Sequence, residues 1–81
     1  MNRSRHRVLL LKKEYCPLCD GVRNILRGLR REMELSWTEV DITLNNEFYA
    51  KYKNAIPVLI INGEKELRYP ITEEAVREAL A

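Results

Sequence analysis

The chain has 81 residues and a formal net charge of +2, a size that leaves room for one hydrophobic core and excludes a multidomain enzyme. Hydrophobic residues make up 46% of the sequence and charged residues 32%, a balance that is typical of a folded domain and too apolar for a disordered chain. The small net charge gives no reason to expect nucleic-acid or membrane-surface binding. We therefore expect one domain over residues 1–81, whose function comes from a local site.

The beginning of the chain is basic and is followed by a short apolar run. Residues 1–6 are predicted to form a flexible basic tail. The apolar run from Val8 to Leu11 has four residues, whereas a membrane-spanning helix needs about 20. It is also too short for the apolar part of a signal peptide. The sequence therefore predicts a cytoplasmic location.

The first three elements are a strand, a helix and a strand. Residues 7–12 contain a continuous branched apolar run, which is typical of a buried central strand. From Pro17 the apolar residues follow a helical spacing, so we predict an amphipathic helix of about four turns. Its apolar stripe comprises Leu18, Val22, Ile25, Leu26, Leu29 and Met33. Residues 35–42 are rich in β-branched and aromatic residues and predict the second strand.

A short helix follows the second strand. Asn45 is predicted to cap this helix, because its side chain can accept a hydrogen bond from the first turn. Phe48 and Tyr52 are four residues apart and are expected on its buried side. Asn54 is predicted to end the helix in the left-handed conformation that Asn tolerates.

A β-hairpin and a last helix complete the chain. Residues 58–61 form a strand, and the dipeptide Asn62-Gly63 favours a two-residue hairpin with a returning strand over residues 64–69. Thr72 is predicted to cap the last helix. The order β-α-β-α-β-β-α predicts an α/β domain in which three helices flank a four-stranded mixed sheet, since a β-α-β unit makes parallel strands and a hairpin makes antiparallel ones.

The two cysteines of the chain lie in one Cys-x-x-Cys motif between the first strand and the first helix. Cys16 stands at the helix start, where backbone N–H groups and the positive end of the helix dipole favour a thiolate. Cys19 lies one turn further along and within reach of a disulfide bond with Cys16. This arrangement predicts a redox pair in which Cys16 attacks a substrate disulfide and Cys19 resolves the mixed disulfide.

Other interpretations of the cysteine pair stay open. Metal or iron–sulfur binding needs ligands from a second chain, because the sequence has one histidine, His6, and no second cysteine pair. Free cysteines also occur as small apolar residues in protein cores. A further alternative is a non-catalytic module that binds partners or senses the redox state.

Pro57 is the second feature that bears on the site. A lone proline at the start of a strand is commonly explained by its missing N–H group alone. If the Ile56–Pro57 bond is cis, the backbone of Ile56 faces the end of the sheet at which Cys16 lies, and an extended substrate can pair with it.

From Val8 to Leu80 the chain resembles the thioredoxin superfamily, and within it the small glutaredoxin-like proteins. The resemblance rests on two segments, Lys13-x-Tyr15-Cys16-Pro17-Leu18-Cys19 and Ile56-Pro57, which match the Lys-x-x-Cys-Pro-x-Cys and Val-Pro elements of glutaredoxins. It implies a thioredoxin-like fold and a thiol–disulfide oxidoreductase of electron transport and cell redox homeostasis. In that enzyme Cys16 attacks, Cys19 resolves, and Pro57 lies beside them in the cis form. The predicted substrate-binding residues are Lys13, Tyr15, Pro17, Leu18, Ile56 and Thr72.

Two departures from glutaredoxins bear on the expected site. Where they have a Gly-Gly followed by Ser or Thr and Asp, which holds glutathione, this chain has the segment 68–73 without a glycine, although Thr72 still offers a hydroxyl. Asp20 replaces a lysine that is common in glutaredoxins, so we expect Cys16 to be less acidic than its analogues.

The arginines of the first helix, at positions 23, 27, 30 and 31, are expected to form a solvated face, with docking of an acidic partner as the alternative.

The expected partners follow from the resemblance. We expect a disulfide-containing protein or a small thiol as the substrate, and an upstream reductase or glutathione as the reductant. We expect no resident cofactor, no metal, no nucleic acid and no membrane, and a monomeric chain.

Overall fold

The computed structural model describes residues 6–81, so the predicted tail lies outside the described part except for its last residue. That residue, His6, belongs to the first strand instead of the tail. Its backbone N–H group donates to the carbonyl oxygen of Glu34 at 3.2 Å, and His6 pairs with Leu35. The hydrogen bond to the neighbouring strand explains why the strand begins one residue earlier than predicted.

Seven main elements follow one another in the predicted order. They are β1 (His6–Lys12), α1 (Pro17–Arg30), β2 (Leu35–Asp41), α2 (Asn46–Tyr52), β3 (Val58–Ile61), β4 (Lys65–Arg68) and α3 (Glu73–Leu80). The strands form one sheet in the order β2-β1-β3-β4. β1 pairs parallel to β2 and antiparallel to β3, and β4 pairs antiparallel to β3. The predicted mixed sheet with three helices is therefore confirmed.

The core is divided between the two faces of the sheet. Helices α1 and α3 pack on one face, where Leu10, Leu26 and Val76 are fully buried. Helix α2 packs on the other face, where its Tyr52 contacts the cluster that contains Leu11. Neighbouring residues of a strand point to opposite faces, so β1 contributes to both clusters. β1 is thus a buried central strand, and its end leads into the loop that carries the cysteines.

Strand β2 ends one residue earlier than predicted. Ile42 begins a 3-10 turn (Ile42–Leu44), because the Asp41 carboxylate accepts hydrogen bonds from the backbone N–H group and the hydroxyl of Thr43, at 2.9 and 2.6 Å. Ile42 is still fully buried. Its apolar character therefore reflects its place in the core under α2, and the sequence pattern could not separate that place from a strand position.

The hairpin loop is one residue longer than predicted. Asn62 and Gly63 have positive φ angles of 54° and 70°, as the dipeptide favours. The N–H group of Glu64 donates to the carbonyl oxygen of Ile61 at 3.0 Å. Ile61 pairs with Lys65, however, so Glu64 is a third loop residue and β4 is short.

The prediction of a left-handed Asn54 is wrong. Among the described residues other than glycine, positive φ angles occur at Tyr15 and Asn62. Helix α2 ends instead in a tightened turn, in which the N–H group of Ala55 donates to the carbonyl oxygen of Tyr52 at 2.8 Å.

Within residues 6–81, every helix is too short or too polar to cross a membrane.

Candidate redox site

Cys16 is the N-cap of α1. Its backbone is extended, with φ −114° and ψ 94°, and its Sγ atom accepts a hydrogen bond from the N–H group of Cys19 at 3.1 Å. Pro17 takes the first helical position, where its missing N–H group costs nothing. Cys16 is partly exposed, whereas Cys19 is 1% exposed. Cys16 is therefore the more accessible of the two cysteines.

The two cysteines are joined in a disulfide bond. Their Cα atoms are 5.2 Å apart, a separation in the ordinary range for disulfides. The sequence contains no further cysteine. The structure therefore brings the predicted redox pair together and describes its oxidised form.

A groove of about 310 Å³ lies beside Cys16. One wall is the segment 13–18, which leads from β1 into α1. The other wall is formed by the residues after α2. Five of the predicted substrate-binding residues line the groove: Lys13, Tyr15, Pro17, Leu18 and Ile56.

Two large apolar side chains next to Cys16 are exposed on this groove. Tyr15 is 93% exposed and Leu18 is 47% exposed. The helical spacing also assigns Leu18 to the apolar stripe of α1, but Leu18 is exposed and lines the groove. Tyr15 has a φ angle of 58°, a conformation that is uncommon for a bulky residue and that no sequence signal predicted. Exposed apolar surface of this kind is suited to binding the apolar part of a partner.

Lys13 joins the two walls of the groove. Its ammonium group donates to the carbonyl oxygen of Lys53 at 3.1 Å, close to the C-terminal end of α2, where a positive charge is favourable. Lys53 and Asn54 line the groove but were not predicted as site residues. Their approach to Cys16 depends on how the end of α2 packs against the β1–α1 loop, and no local pattern in the sequence signals that contact.

The two remaining predicted site residues lie at the starts of β3 and α3. The Ile56–Pro57 bond is cis, as the resemblance implies, and Pro57 is fully buried. A second cis bond, not predicted, precedes Pro70. The hydroxyl of Thr72 accepts a hydrogen bond from the N–H group of Ala75 at 3.1 Å. The structure thus shows this hydroxyl capping α3, and it does not place Thr72 on the groove walls described above.

A network of charged groups ties the first turns of α1 to the sheet. The Arg23 guanidinium donates to both carboxylate oxygens of Glu39, at 2.7 and 2.9 Å, and also to the carboxylate of Asp20. It holds the pKa of Glu39 below its ordinary value, and a hydrogen bond from the Trp37 indole at 3.1 Å acts in the same direction. The guanidinium of Arg30 lies 4.5 Å from the centroid of the Trp37 ring. Arg23 and Arg30 of the predicted solvated face therefore contact β2, and Arg27 donates to the Asn24 side chain of its own helix at 2.8 Å.

Among residues 6–81, no group of three or more His, Cys, Asp or Glu side chains could hold a metal ion. A metal ion on Cys16 and Cys19 would therefore need ligands from outside this part of the chain.

The fold and the cysteine pair define a thioredoxin-fold protein with a dithiol that can form a disulfide. The chain belongs to the glutaredoxin-like domain family (DUF836), whose sequence profile matches residues 7–81. The predicted resemblance is thereby confirmed.

Solved structures show the same fold. The solution structure of protein Ne2328 from Nitrosomonas europaea has a TM-score of 0.82 and 25% sequence identity, and the match covers 100% of both chains. The crystal structure of protein XcR50 from X. campestris has a TM-score of 0.77 and 25% identity over 90% of this chain and 93% of that one. A mutant thioredoxin from Halobacterium salinarum has a TM-score of 0.72 and 16% identity over 94% and 72% of the two chains. The thioredoxin-like fold is therefore confirmed, and family and fold together support a redox role.

Proposed function

We propose that this protein is a thiol–disulfide oxidoreductase whose working group is the Cys16/Cys19 dithiol. The difference between the two sulfurs carries the proposal. Cys16 is partly exposed on the groove and accepts a hydrogen bond from the helix start, whereas Cys19 is buried within disulfide distance. A sulfur at a helix start is stabilised as a thiolate, and a second sulfur within reach can release a mixed disulfide.

In the reducing direction, the reaction begins with Cys16 as a thiolate. Its sulfur attacks one sulfur of the substrate disulfide, forms a mixed disulfide and displaces the first substrate thiolate. Cys19 loses its proton, attacks the Cys16 sulfur, closes the internal disulfide and displaces the second substrate thiolate. The substrate gains two electrons, and its thiolates take up protons equal in number to those that the dithiol releases. A dithiol reductant then restores the pair by the reverse exchange.

The groove favours a disulfide that is carried by a polypeptide. Tyr15 and Leu18 offer exposed apolar surface on either side of Cys16, and Ile56 continues it on the opposite wall. Apolar side chains of an extended segment can cover such a surface. The segment 68–73 lacks the glycines that hold glutathione in glutaredoxins. We therefore propose protein disulfides as the preferred substrate and an upstream dithiol reductase as the preferred reductant, with small disulfides and glutathione reacting more slowly.

The remaining expectations belong to the same proposal. The chain acts as a monomer without a resident cofactor, in electron transport and cell redox homeostasis in the cytoplasm. Nucleic acid and membranes are not among its proposed partners, because the net charge of +2 gives no strong field for either.

The decisive test compares the wild-type protein with Cys16→Ser and Cys19→Ser in the reduction of a protein disulfide by a dithiol reductant. We expect Cys16→Ser to abolish the reaction and Cys19→Ser to stall as a mixed disulfide whose mass identifies the substrate. Cys16→Ser keeps a hydrogen-bond acceptor at the cap of α1, so this variant is expected to fold. If the wild-type protein is no faster than Cys16→Ser, the chain is a binding or redox-sensing module and the proposal fails.

A second arm compares glutathione with a dithiol protein as the reductant at matched potential. A clear preference for glutathione would contradict the proposed reductant and leave the roles of the cysteines intact.

A further inference from the structure

We infer that Arg23 is a positioning residue for the redox site. By pairing with Asp20, Arg23 prevents the Asp20 carboxylate from opposing the formation of the Cys16 thiolate. The inference rests on the proposed function, because it takes Cys16 as the attacking sulfur. It assigns to the charge network beside α1 a role in the reactivity of the site.

Asp20 stands where a negative charge is unfavourable for a thiolate. It lies in the first turn of α1, and its N–H group donates to the carbonyl oxygen of Cys16 at 3.3 Å. A carboxylate in this turn repels a thiolate at the cap and competes with it for the positive end of the helix dipole. On charge alone, Asp20 is therefore expected to make Cys16 less acidic.

Arg23 supplies the opposite charge, and the sheet holds it in place. Two of its nitrogens donate to the two carboxylate oxygens of Glu39 on β2, at 2.7 and 2.9 Å, while Nη1 bonds Asp20. Glu39 is itself fixed by the Trp37 indole at 3.1 Å, and the Lys12 ammonium lies 3.9 Å from it.

This anchoring distinguishes Arg23 from an ordinary surface partner. An isolated surface ion pair contributes little, because two mobile side chains must be ordered to form it. A guanidinium that a bidentate pair already orients does not have to be ordered again to hold Asp20. Arg23 can therefore stay beside Asp20 and weaken its negative field whenever α1 is packed on β2, while the Lys12 ammonium balances part of the Glu39 charge.

Other charged groups also face Cys16 and have to be separated from this effect. They are Lys13 and Glu14 in the β1–α1 loop and Lys53 at the end of α2, all on the groove walls. The ammonium of Lys13 is bonded to the carbonyl oxygen of Lys53. These groups stay unchanged in the variants below. If replacing Arg23 changes the pKa of Cys16 and the change disappears when Asp20 is neutral, the change can be assigned to Asp20.

The experiment follows Cys16 alone, in reduced full-length protein that carries Cys19→Ser. Thiolate absorbance is measured against pH at low ionic strength in this parent, with Asp20→Asn, with Arg23→Gln and with both changes. We expect Arg23→Gln to raise the pKa of Cys16 by about 0.3 to 0.5, which slows thiol alkylation below the pKa about two- to threefold. Adding Asp20→Asn is expected to reverse this rise, whereas Asp20→Asn alone has a smaller effect.

Two controls separate charge from structure. Glu39→Gln removes the carboxylate that anchors Arg23 on β2. We therefore expect a less stable protein and, because an unanchored Arg23 holds Asp20 less firmly, a rise in the pKa of Cys16 that is smaller than the one in Arg23→Gln. Arg23→Lys keeps the positive charge but loses the bidentate pair with Glu39. We therefore expect the pKa of Cys16 to lie between the parent value and that of Arg23→Gln, and this variant provides the comparison if Arg23→Gln does not fold. The same pKa in Arg23→Gln and the parent, or a rise that survives in the double variant, would each overturn the inference. If Arg23→Gln does not fold, an unchanged pKa of Cys16 in Arg23→Lys would overturn it. The titration needs no substrate, so its failure is distinct from a failure of the proposed oxidoreductase.

Discussion

Helices α1 and α3 begin in the same way and differ in the atom at the cap. In each helix the cap side chain accepts a hydrogen bond at 3.1 Å from the N–H group three residues further on. The pairs are Cys16 with Cys19 and Thr72 with Ala75. A threonine hydroxyl stays protonated at neutral pH, whereas a sulfur in this place can ionise and exchange its covalent partner. The candidate site is thus a common helix start in which the capping atom is titratable.

The first turns of the two helices also share an acid that is paired with an arginine on the same helix. Asp20 pairs with Arg23 in α1, and Glu73 pairs with Arg77 in α3. Arg77 also donates to both carboxylate oxygens of Glu32, at 3.0 and 2.8 Å, and it lowers the pKa of that carboxyl. In α3 the arginine ties the helix to the loop before β2. In α1 the arginine ties the helix to β2, and its acid lies beside a sulfur.

The first prediction tests what holds α1 against the sheet. Leu26 of α1 is fully buried in the core cluster that α1 forms with the sheet and α3. Leu26→Ala is therefore expected to lower the free energy of unfolding by about 2–5 kcal/mol. Leu18→Ala on the exposed side of the same helix is the matched control and should change it by less than about 0.5 kcal/mol. Denaturant unfolding of the oxidised proteins measures both. Equal costs for the two variants would contradict the described packing.

The second prediction compares the two caps. Thr72→Ala removes the acceptor at α3 and is expected to cost about 1 kcal/mol of stability, while Thr72→Ser keeps it and serves as the control. Neither variant should change the rate of disulfide reduction at a temperature at which both are folded. A tenfold slower reaction in folded Thr72→Ala would instead support the substrate contact that the resemblance implies for Thr72.

The third and smallest prediction concerns the pH dependence of the charge network. Arg23 holds the pKa of Glu39 below its ordinary value, so the ionised carboxylate stabilises the folded state above the unfolded-state pKa of about 4.3. This contribution is lost as the pH falls through the lower, folded-state pKa. The advantage of wild type over Glu39→Gln in urea unfolding should therefore be constant near neutral pH and shrink below about pH 4. An advantage that persists undiminished to pH 2 would refute this.

Much of the fold could be predicted because its signals are local. The apolar run predicts β1 and the helical spacing after Pro17 predicts α1, and each pattern lies within one short segment of the sequence. The caps Asn45 and Thr72 act on N–H groups three residues away. Cys16 and Cys19 could be recognised for the same reason, since one turn of one helix brings them together.

The errors arise where tertiary contacts decide the local conformation. Ile42 is apolar because it fills the core under α2, and this apolar pattern concealed the strand end that Asp41 marks locally through Thr43. The second wall of the groove could not be predicted, because the Lys13 ammonium donates to the Lys53 carbonyl oxygen across 40 positions of the sequence. The pairing of Arg23 with Glu39 spans two elements in the same way. The spacing of the arginines along α1 indicates only that their side chains share one face of the helix.

The most direct test of the central claim is the thiol pKa of each cysteine in the reduced protein, from thiolate absorbance against pH in Cys19→Ser and Cys16→Ser. The account predicts that Cys16, at the start of α1, titrates well below the value of about 8.5 of a free thiol, and that the buried Cys19 does not. Equal values near 8.5 for both thiols would contradict it, because neither sulfur would then be activated for attack.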